Sequence, residues 1–190
     1  YDAAGRVVSR REVGASTNVT AYVYSAEPFD RRPWRTEVSV DGVVTRVATF
    51  AEATLLDGGR VEVETDCGLT TSRVYWPADA ANRFAAGRLR AEARPDGRMT
   101  AYDYDEATRT VTATEGLADA ETGALVLVPG RSTRTLTTYD AGGDAVRIAR
   151  EALIGEAWAP LTWEVRRYNA AHQYLGSTFS NGRETDSRWI

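Results

Sequence analysis

Side chains alternate in character with a period of two along most of the chain. The pattern is clearest in residues 20–24, 37–40, 61–64 and 133–137, which are also rich in Val, Thr and Tyr. A period of two is that of a β-strand whose two faces differ, and these residue types fit a pleated, half-buried surface. The pattern therefore predicts strands from one end of the chain to the other.

Turn signals separate these strands. Gly adopts positive φ without steric cost, and Asp or Asn tolerates it or accepts backbone hydrogen bonds nearby. Strand, tight turn and strand in succession predict an all-β chain of consecutive antiparallel β-hairpins. The signals are Asp41-Gly42, Asp57-Gly58-Gly59, Asp96-Gly97, Gly142-Gly143 and Asn181-Gly182.

Helix signals are few. The best candidate is residues 78–86, where Asp79 could cap a short turn and Gly87 would end it. Residues 144–153 carry a weaker helical pattern, but β-branched side chains alternate there and favour a strand. The prolines are expected in connections or at strand starts, where no N–H is needed. They are Pro28, Pro33, Pro77, Pro95, Pro129 and Pro160.

One short pattern recurs: Tyr-Asp, two variable residues, Gly-Arg and an apolar residue. It is complete at Tyr1, degenerate at Tyr104 (with Thr108 in the Gly position) and at Tyr139, and reduced to its frame at Tyr168. Half-motifs lacking the Tyr begin at Asp57 and Asp96. The residues expected to build the repeat turns are Tyr1, Asp2, Gly5, Arg6, Asp57, Gly59, Arg60, Asp96, Gly97, Arg98, Tyr104, Asp105, Arg109, Tyr139, Asp140, Gly143, Tyr168 and Asn169.

Each position of this pattern has a mechanical role. The Tyr ring packs at the end of one strand, and Asp accepts backbone N–H groups of the turn. Gly takes the left-handed conformation, and Arg with the next apolar residue starts the return strand, one on each face. The motif therefore predicts a hairpin, and its recurrence predicts a repeat protein.

The complete copy at residues 1–7 and the segment 95–105 resemble the YD repeat of the RHS family, which includes bacterial polymorphic-toxin shells and animal teneurins. The resemblance implies a curved or spiralling sheet of hairpins that forms part of a larger β-shell. It also implies that residues 1–190 are a single YD-repeat region, a fragment of a longer array. A secreted or cell-surface location is expected from the resemblance alone, because the chain begins without a signal peptide.

Composition narrows the function classes. The chain has 190 residues, 43% of them hydrophobic, and a net charge of −4. All 23 basic residues are Arg. Without a basic excess, a nucleic-acid binder is disfavoured, and no apolar run reaches the roughly 18 residues of a membrane span.

Candidate chemistry is sparse. Cys67 and His172 are the only residues of their kinds, so the usual zinc clusters are excluded. Cys67 is interpreted as a small packed residue and His172 as a turn residue. Two carboxylate pairs, Asp103 with Asp105 and Glu62 with Glu64, could serve a glycosidase, but are interpreted as a turn carboxylate and a solvated strand face. No catalytic residue, cofactor or metal site is therefore predicted, and the chain is expected not to be an enzyme.

Two functions remain. The first is a structural module whose partners are neighbouring repeats of the same polypeptide and an enclosed or presented toxin or other domain. The alternative is a carbohydrate- or cell-surface-binding β module that uses exposed aromatic rings. The Trp side chains could build a packing ladder for the first function or sugar platforms for the second. They are Trp34, Trp76, Trp158, Trp163 and Trp189.

Overall fold

A computed structural model describes residues 1–26 and 32–187. Within these ranges the chain forms fifteen β-strands and no helix, which confirms the predicted all-β class. The strands are β1 (Ser9–Val13), β2 (Thr17–Val23), β3 (Arg35–Val40), β4 (Val43–Thr54), β5 (Arg60–Asp66), β6 (Leu69–Tyr75), β7 (Leu89–Ala93), β8 (Arg98–Asp105), β9 (Thr110–Ala118), β10 (Leu125–Val126), β11 (Thr133–Tyr139), β12 (Ala145–Ile154), β13 (Ala157–Tyr168), β14 (Tyr174–Phe179) and β15 (Glu184–Asp186).

The strands form one antiparallel sheet in chain order. Each strand pairs with its predecessor and its successor, except that β9 pairs with β11 along the main path and β10 pairs with β9 beside it. Because strand direction alternates, the connections fall alternately at two opposite borders of the sheet, where the strands begin and end. These borders are distinct from the outer strands β1 and β15. We call one of these borders the tyrosine edge. It carries residues 2–6, 55–59, 76–88, 106–109, 140–144 and 169–173.

The two faces of the sheet differ in chemistry. Residues directly opposite each other share a face, so the registers of β5 to β9 place Glu62, Arg73, Glu92 and Glu115 together. We call this the charged face. The opposite face of β4 to β9 carries small and apolar side chains, and we call it the small-residue face. It includes Ala51, Val61, Val63, Val74, Ala91, Ala93, Ala101, Thr112 and Thr114.

The sheet has hardly any interior. The chain exposes 12600 Å², whereas a compact monomer of 20.8 kDa would expose about 9,000 Å². In the part of the chain that the structure describes, the only buried apolar residues are Ala85, Tyr104, Ala149 and Leu153. Most domains bury a sheet face against a second layer. Here no described residues supply that layer, so strand pairing and contacts along each face hold the sheet.

The predicted helix at residues 78–86 is wrong. These residues form turns, and Asn82 rather than Asp79 caps them, because its Oδ1 accepts the N–H groups of Phe84 at 3.0 Å and Ala85 at 3.2 Å. Such side-chain bonds compete with helical ones. Gly87 ends the segment at φ 68° as expected, and the strand expected over residues 144–153 is confirmed as β12.

The position expected for Pro160 is also wrong, because this residue lies inside β13. The register there passes from Arg150 opposite Thr162 to Glu151 opposite Pro160, which is a β-bulge. A bulge tolerates a residue without an N–H within a sheet. Pro33, Pro77, Pro95 and Pro129 lie outside the strands, while Pro28 lies outside the described residues.

We expect the chain of residues 1–190 to self-associate in solution, because β1 offers an unpaired edge and the small-residue face is uncovered. Sedimentation velocity at several concentrations would show species larger than the monomer. The variant Val13→Lys should self-associate less than the wild type, because Val13 is 72% exposed on β1 and a lysine there blocks pairing of this outer strand. A wild-type chain that stays monomeric and melts cooperatively would contradict this expectation.

Candidate functional site: the repeat turns and the tyrosine edge

Six turns share one hydrogen-bonding pattern. In each, the N–H of the first residue donates to the carbonyl of the fifth at 2.7–3.0 Å, and the N–H of the fourth donates to the carbonyl of the first at 2.9–3.2 Å. The fourth residue has positive φ in every case. This is a type I turn followed by a left-handed residue in a G1 bulge. The turns are residues 2–6, 55–59, 94–98, 140–144, 169–173 and 179–183.

Three of these turns are capped from their first residue. The Oδ1 atoms of Asp2, Asp140 and Asn169 each accept the N–H groups of the third and fifth residues at 2.9–3.0 Å. The hydrogen bond from the Arg6 N–H, together with the Arg6 side chain, lowers the pKa of Asp2. The Asp of the Tyr-Asp motif therefore fixes its turn as an ionised acceptor.

The other three turns are capped from their third residue. Asp57, Asp96 and Asn181 accept the N–H of the fifth residue at 2.9–3.1 Å. The half-motifs therefore encode the same turn as the complete motif with the acceptor moved by two positions. In the turn at residues 55–59 the left-handed residue is Gly58 and not Gly59. Gly59 is required for a different reason: it is buried, and a Cβ at this position would lie only 2.7 Å from the Tyr75 carbonyl oxygen.

The copy at Tyr104 departs from the motif. Asp105 accepts the N–H groups of Ala107 and Thr108, at 2.9 and 3.1 Å, but the left-handed residue is Arg109 at φ 51°. The placement of Thr108 in the Gly position is therefore wrong. A β-branched residue at positive φ is a steric outlier, and the turn instead takes four residues between Asp105 and Thr110, which face each other.

Tyr residues lie at the ends of β2, β6, β8, β11 and β13, where these strands reach the tyrosine edge, whereas β4 ends there at Thr54. The hydroxyls of Tyr24, Tyr104 and Tyr168 donate to a backbone carbonyl near the start of the preceding strand, namely Val7 at 3.1 Å, Leu89 at 2.8 Å and Ala145 at 3.4 Å. Each hydroxyl therefore ties the end of one strand to the beginning of its neighbour. Tyr75 and Tyr139 end β6 and β11 at the same edge.

Arginines stack on these rings. The guanidinium carbon lies 4.6 Å from the ring centroid for Arg6 over Tyr24, 4.4 Å for Arg60 over Tyr75, and 5.7 Å for Arg88 over Tyr104. Each of these arginines follows a Gly just before or at the start of a strand. The Gly-Arg of the motif thus supplies a cation–π contact to the Tyr that ends the next strand. Sequence reasoning missed Arg88, although Gly87-Arg88-Leu89 repeats the Gly-Arg-apolar signal.

An aromatic cluster anchors the longest described connection of this edge. The Phe84 ring meets those of Tyr104 and Tyr139 edge to face, at centroid distances of 6.0 and 6.1 Å. Asn82 Nδ2 donates to the Tyr104 carbonyl at 2.6 Å, and Ala85 of the same connection is only 3% exposed. This connection therefore gives the sheet a small local core.

Cys67 and His172 both lie in turns. Cys67 is exposed at φ 50°, next to Gly68, in a two-residue turn of the I′ kind, so its interpretation as a packed residue is wrong. His172 has φ 60°, which confirms the expected turn residue. Its Nδ1 lies 2.7 Å from Asp144 Oδ2, and this carboxylate raises the pKa of His172.

The carboxylates considered for catalysis are engaged in other ways. Glu62 lies 3.2 Å from Arg60, and Glu64 lies 3.6 Å from Arg73. Asp105 caps its turn, and the hydrogen bonds from Thr108 lower its pKa. Among the described residues no group of three His, Cys, Asp or Glu side chains could hold a metal ion, and no helix there could cross a membrane.

The most exposed tryptophans do not form a joint platform. Trp34 and Trp163 are 43% and 37% exposed, but Trp163 belongs to β13 and Trp34 precedes β3. These strands are nine positions apart in the sheet, which is about 40 Å. Trp189 lies outside the described residues.

The geometry defines a sheet of consecutive hairpins in which six turns share one backbone hydrogen-bonding pattern and tyrosines end several strands at one edge. Residues 85–120 match the family model of the RHS repeat. This segment holds β7, β8 and β9, the turn at residues 94–98 and the Tyr104-Asp105 pair. The resemblance to the RHS/YD-repeat family is thus supported by an independent match. No curated protein matches the chain significantly.

Gly97→Val should destabilise the sheet by about 1–3 kcal/mol, because a side chain at this φ of 78° is strained. A Cβ at Gly97 meets nothing within 4 Å, so the loss reports backbone strain alone. Gly97→Asn is the matched control and should lose less, since Asn tolerates this conformation. Denaturant unfolding measures both, and equal stability of the Val variant and the wild type would contradict the turn assignment.

Tyr104→Phe should cost about 1 kcal/mol, because the buried hydroxyl loses its hydrogen bond to the Leu89 carbonyl. Tyr102→Phe serves as the control, since the Tyr102 hydroxyl makes no hydrogen bond to the described residues. Urea unfolding of the two variants under identical conditions gives the comparison. A Tyr102→Phe loss as large as that of Tyr104→Phe would refute the role of the edge hydroxyl.

His172 should titrate above its ordinary pKa of 6.5, and Asp144→Asn should return it towards that value. Because folding raises this pKa, the ion pair adds stability at pH below 6.5 and loses it as the pH rises through the raised value. The imidazole NMR signals of this one histidine measure the titration directly. An unchanged pKa in Asp144→Asn would contradict the pairing.

Proposed function

We propose that this chain is a non-catalytic structural repeat module of a secreted or surface RHS/YD-repeat protein, and that its sheet forms part of a wall that encloses or presents a toxin or other domain. The observation that carries the proposal is the single-layer sheet, which exposes 12600 Å² and has almost no interior. Such a sheet suits a wall, because a wall needs area and stiffness rather than a core.

The connectivity supports the same role. Strands adjacent in the chain are adjacent in the sheet, so further hairpins could extend it by edge pairing with neighbouring repeats of the same polypeptide. In this proposal residues 1–190 are one repeat region of a longer array. The eighteen turn residues named from the motif act as repeat-turn residues that set where each strand ends.

The electrostatics also support a non-catalytic role. Carboxylates of the charged face form ion pairs with arginines of neighbouring strands, as Glu92 does with Arg73 at 2.8 Å. The carboxylates of the turns accept hydrogen bonds from backbone N–H groups. A general acid or base needs a pKa moved towards neutrality, whereas the pKa values of Asp2, Asp57, Asp105 and Glu164 are all lowered.

Electron cryo-microscopy of the complete gene product that carries this chain tests the proposal. We expect the sheet to continue edge to edge with other hairpins around an enclosed space. A gene product in which both faces of the sheet meet open solvent and both edges stay unpaired would overturn it.

The partial exposure of Trp34 and Trp163 keeps a carbohydrate-binding module as a second candidate. Iodide quenching of the tryptophan fluorescence, with and without a panel of surface glycans, separates the two. Protection by a glycan that disappears in Trp34→Ala or Trp163→Ala would favour the binding module, and quenching unaffected by any glycan would favour the wall.

A further inference from the structure

A hollow of about 290 Å³ lies between β12, β13 and the turn at residues 179–183. The hollow lies on the charged face of the sheet. Residues opposite each other share a face, and Glu115 lies opposite Thr133, Thr135 opposite Arg150, and Arg150 opposite Thr162. Its lining includes hydroxyl and amide groups beside three arginines and one carboxylate. The polar lining residues are Arg150, Thr162, Glu164, Arg166, Ser180, Asn181 and Arg183.

The single carboxylate of this hollow is fully engaged. Both oxygens of Glu164 accept hydrogen bonds from Arg166, at 2.8 and 3.1 Å, and the buried Ser177 hydroxyl donates to it at 2.6 Å. The hydrogen bonds from Arg166 and Ser177, together with the charges of Arg166 and Arg150, lower the pKa of Glu164 and keep it charged. Glu164 forms its ion pair with Arg166 and also interacts electrostatically with Arg150, so that three guanidinium groups share one carboxylate and the lining keeps an excess of positive charge.

Arg150 and Arg183 make no ion pair with any described residue. The Arg183 guanidinium lies over the Phe179 ring at 4.5 Å, which holds it in place. Elsewhere on the charged face, the arginines of β5, β6 and β8 each have a carboxylate within 4 Å, at 3.2 Å for Arg60, 2.8 Å for Arg73 and 3.3 Å for Arg98. The hollow is thus a place where three arginines share one carboxylate, and where neither Arg150 nor Arg183 has a carboxylate of the described residues within 4 Å.

We propose that this hollow binds a small oxyanion, a phosphate or a carboxylate group, through Arg150 and Arg183. Guanidinium forks match the geometry of both groups, and such charge-assisted bonds are stronger than neutral ones. Thr162, Ser180 and Asn181 offer further hydrogen-bonding groups for the rest of a ligand. The volume of the hollow lies just below the range of about 300–1,000 Å³ that is typical of pockets for drug-sized ligands, which fits a single small molecule.

Calorimetric titration of the full chain with inorganic phosphate and with glucuronate, at fixed ionic strength, tests this site. We expect saturable binding of at least one probe, weakened about tenfold by Arg150→Gln and by Arg183→Gln, since each substitution removes a charge-assisted hydrogen bond to the anion. The tighter probe identifies the kind of group. Arg147→Gln is the matched control, because Arg147 is exposed on the same strand but on the opposite face.

Three results would overturn the site. They are no saturable binding of either probe, binding that both hollow variants retain, and an equal loss in Arg147→Gln. Circular dichroism of each variant confirms that the sheet is intact, and these exposed substitutions should leave it so. The outcome is independent of whether the chain is part of a wall.

Discussion

A one-layer sheet has almost no interior, and this constraint governs the rest of the structure. Without a second layer, the apolar transfer energy that stabilises most domains is largely missing. Each strand is instead held by the ladders to its two neighbours and by side chains that reach across them, as Arg73 does towards Glu92. Stability is therefore local and approximately a sum over neighbouring pairs, as in other repeat proteins.

Register matters more than usual in such a sheet. A slip of one residue would exchange the charged and small-residue faces of a strand and separate the ion pairs. The turns prevent this slip. Capping by Asp2 from the first position, or by Asp96 from the third, fixes the same backbone geometry and hence the same pairing. The edge tyrosines reinforce it, because the Tyr104 hydroxyl binds one particular carbonyl of the neighbouring strand.

Local chemistry made most of the fold predictable. Alternation identified the strands, and Asp-Gly pairs such as Asp96-Gly97 identified the turns. The errors arose where several residue types can satisfy one backbone need. Cys67 occupies a turn position usually held by Asn or Asp, and Arg109 took the positive φ that Thr108 avoids. Asn82 organises a connection whose composition resembled a helix.

The candidate site was predictable only in part. The Tyr-Asp and Gly-Arg dipeptides are visible in the sequence, but the stacking of Arg60 on Tyr75 joins residues on two different strands. Only the register brings them together. The same holds for Arg150 and Arg183, which are far apart in sequence and line one hollow. Pairing between strands, rather than motif content, decides which arginines have a carboxylate within 4 Å.

Amide hydrogen exchange of the chain, resolved by strand, tests the central claim most directly. If stability comes from neighbouring strands, protection should be highest in the middle of the sheet, around β7 to β9, and should fall in steps towards β1 and β15. One uniform level of protection, lost in a single cooperative opening from β1 to β15, would mean that the sheet is stabilised as a single body and would contradict the account.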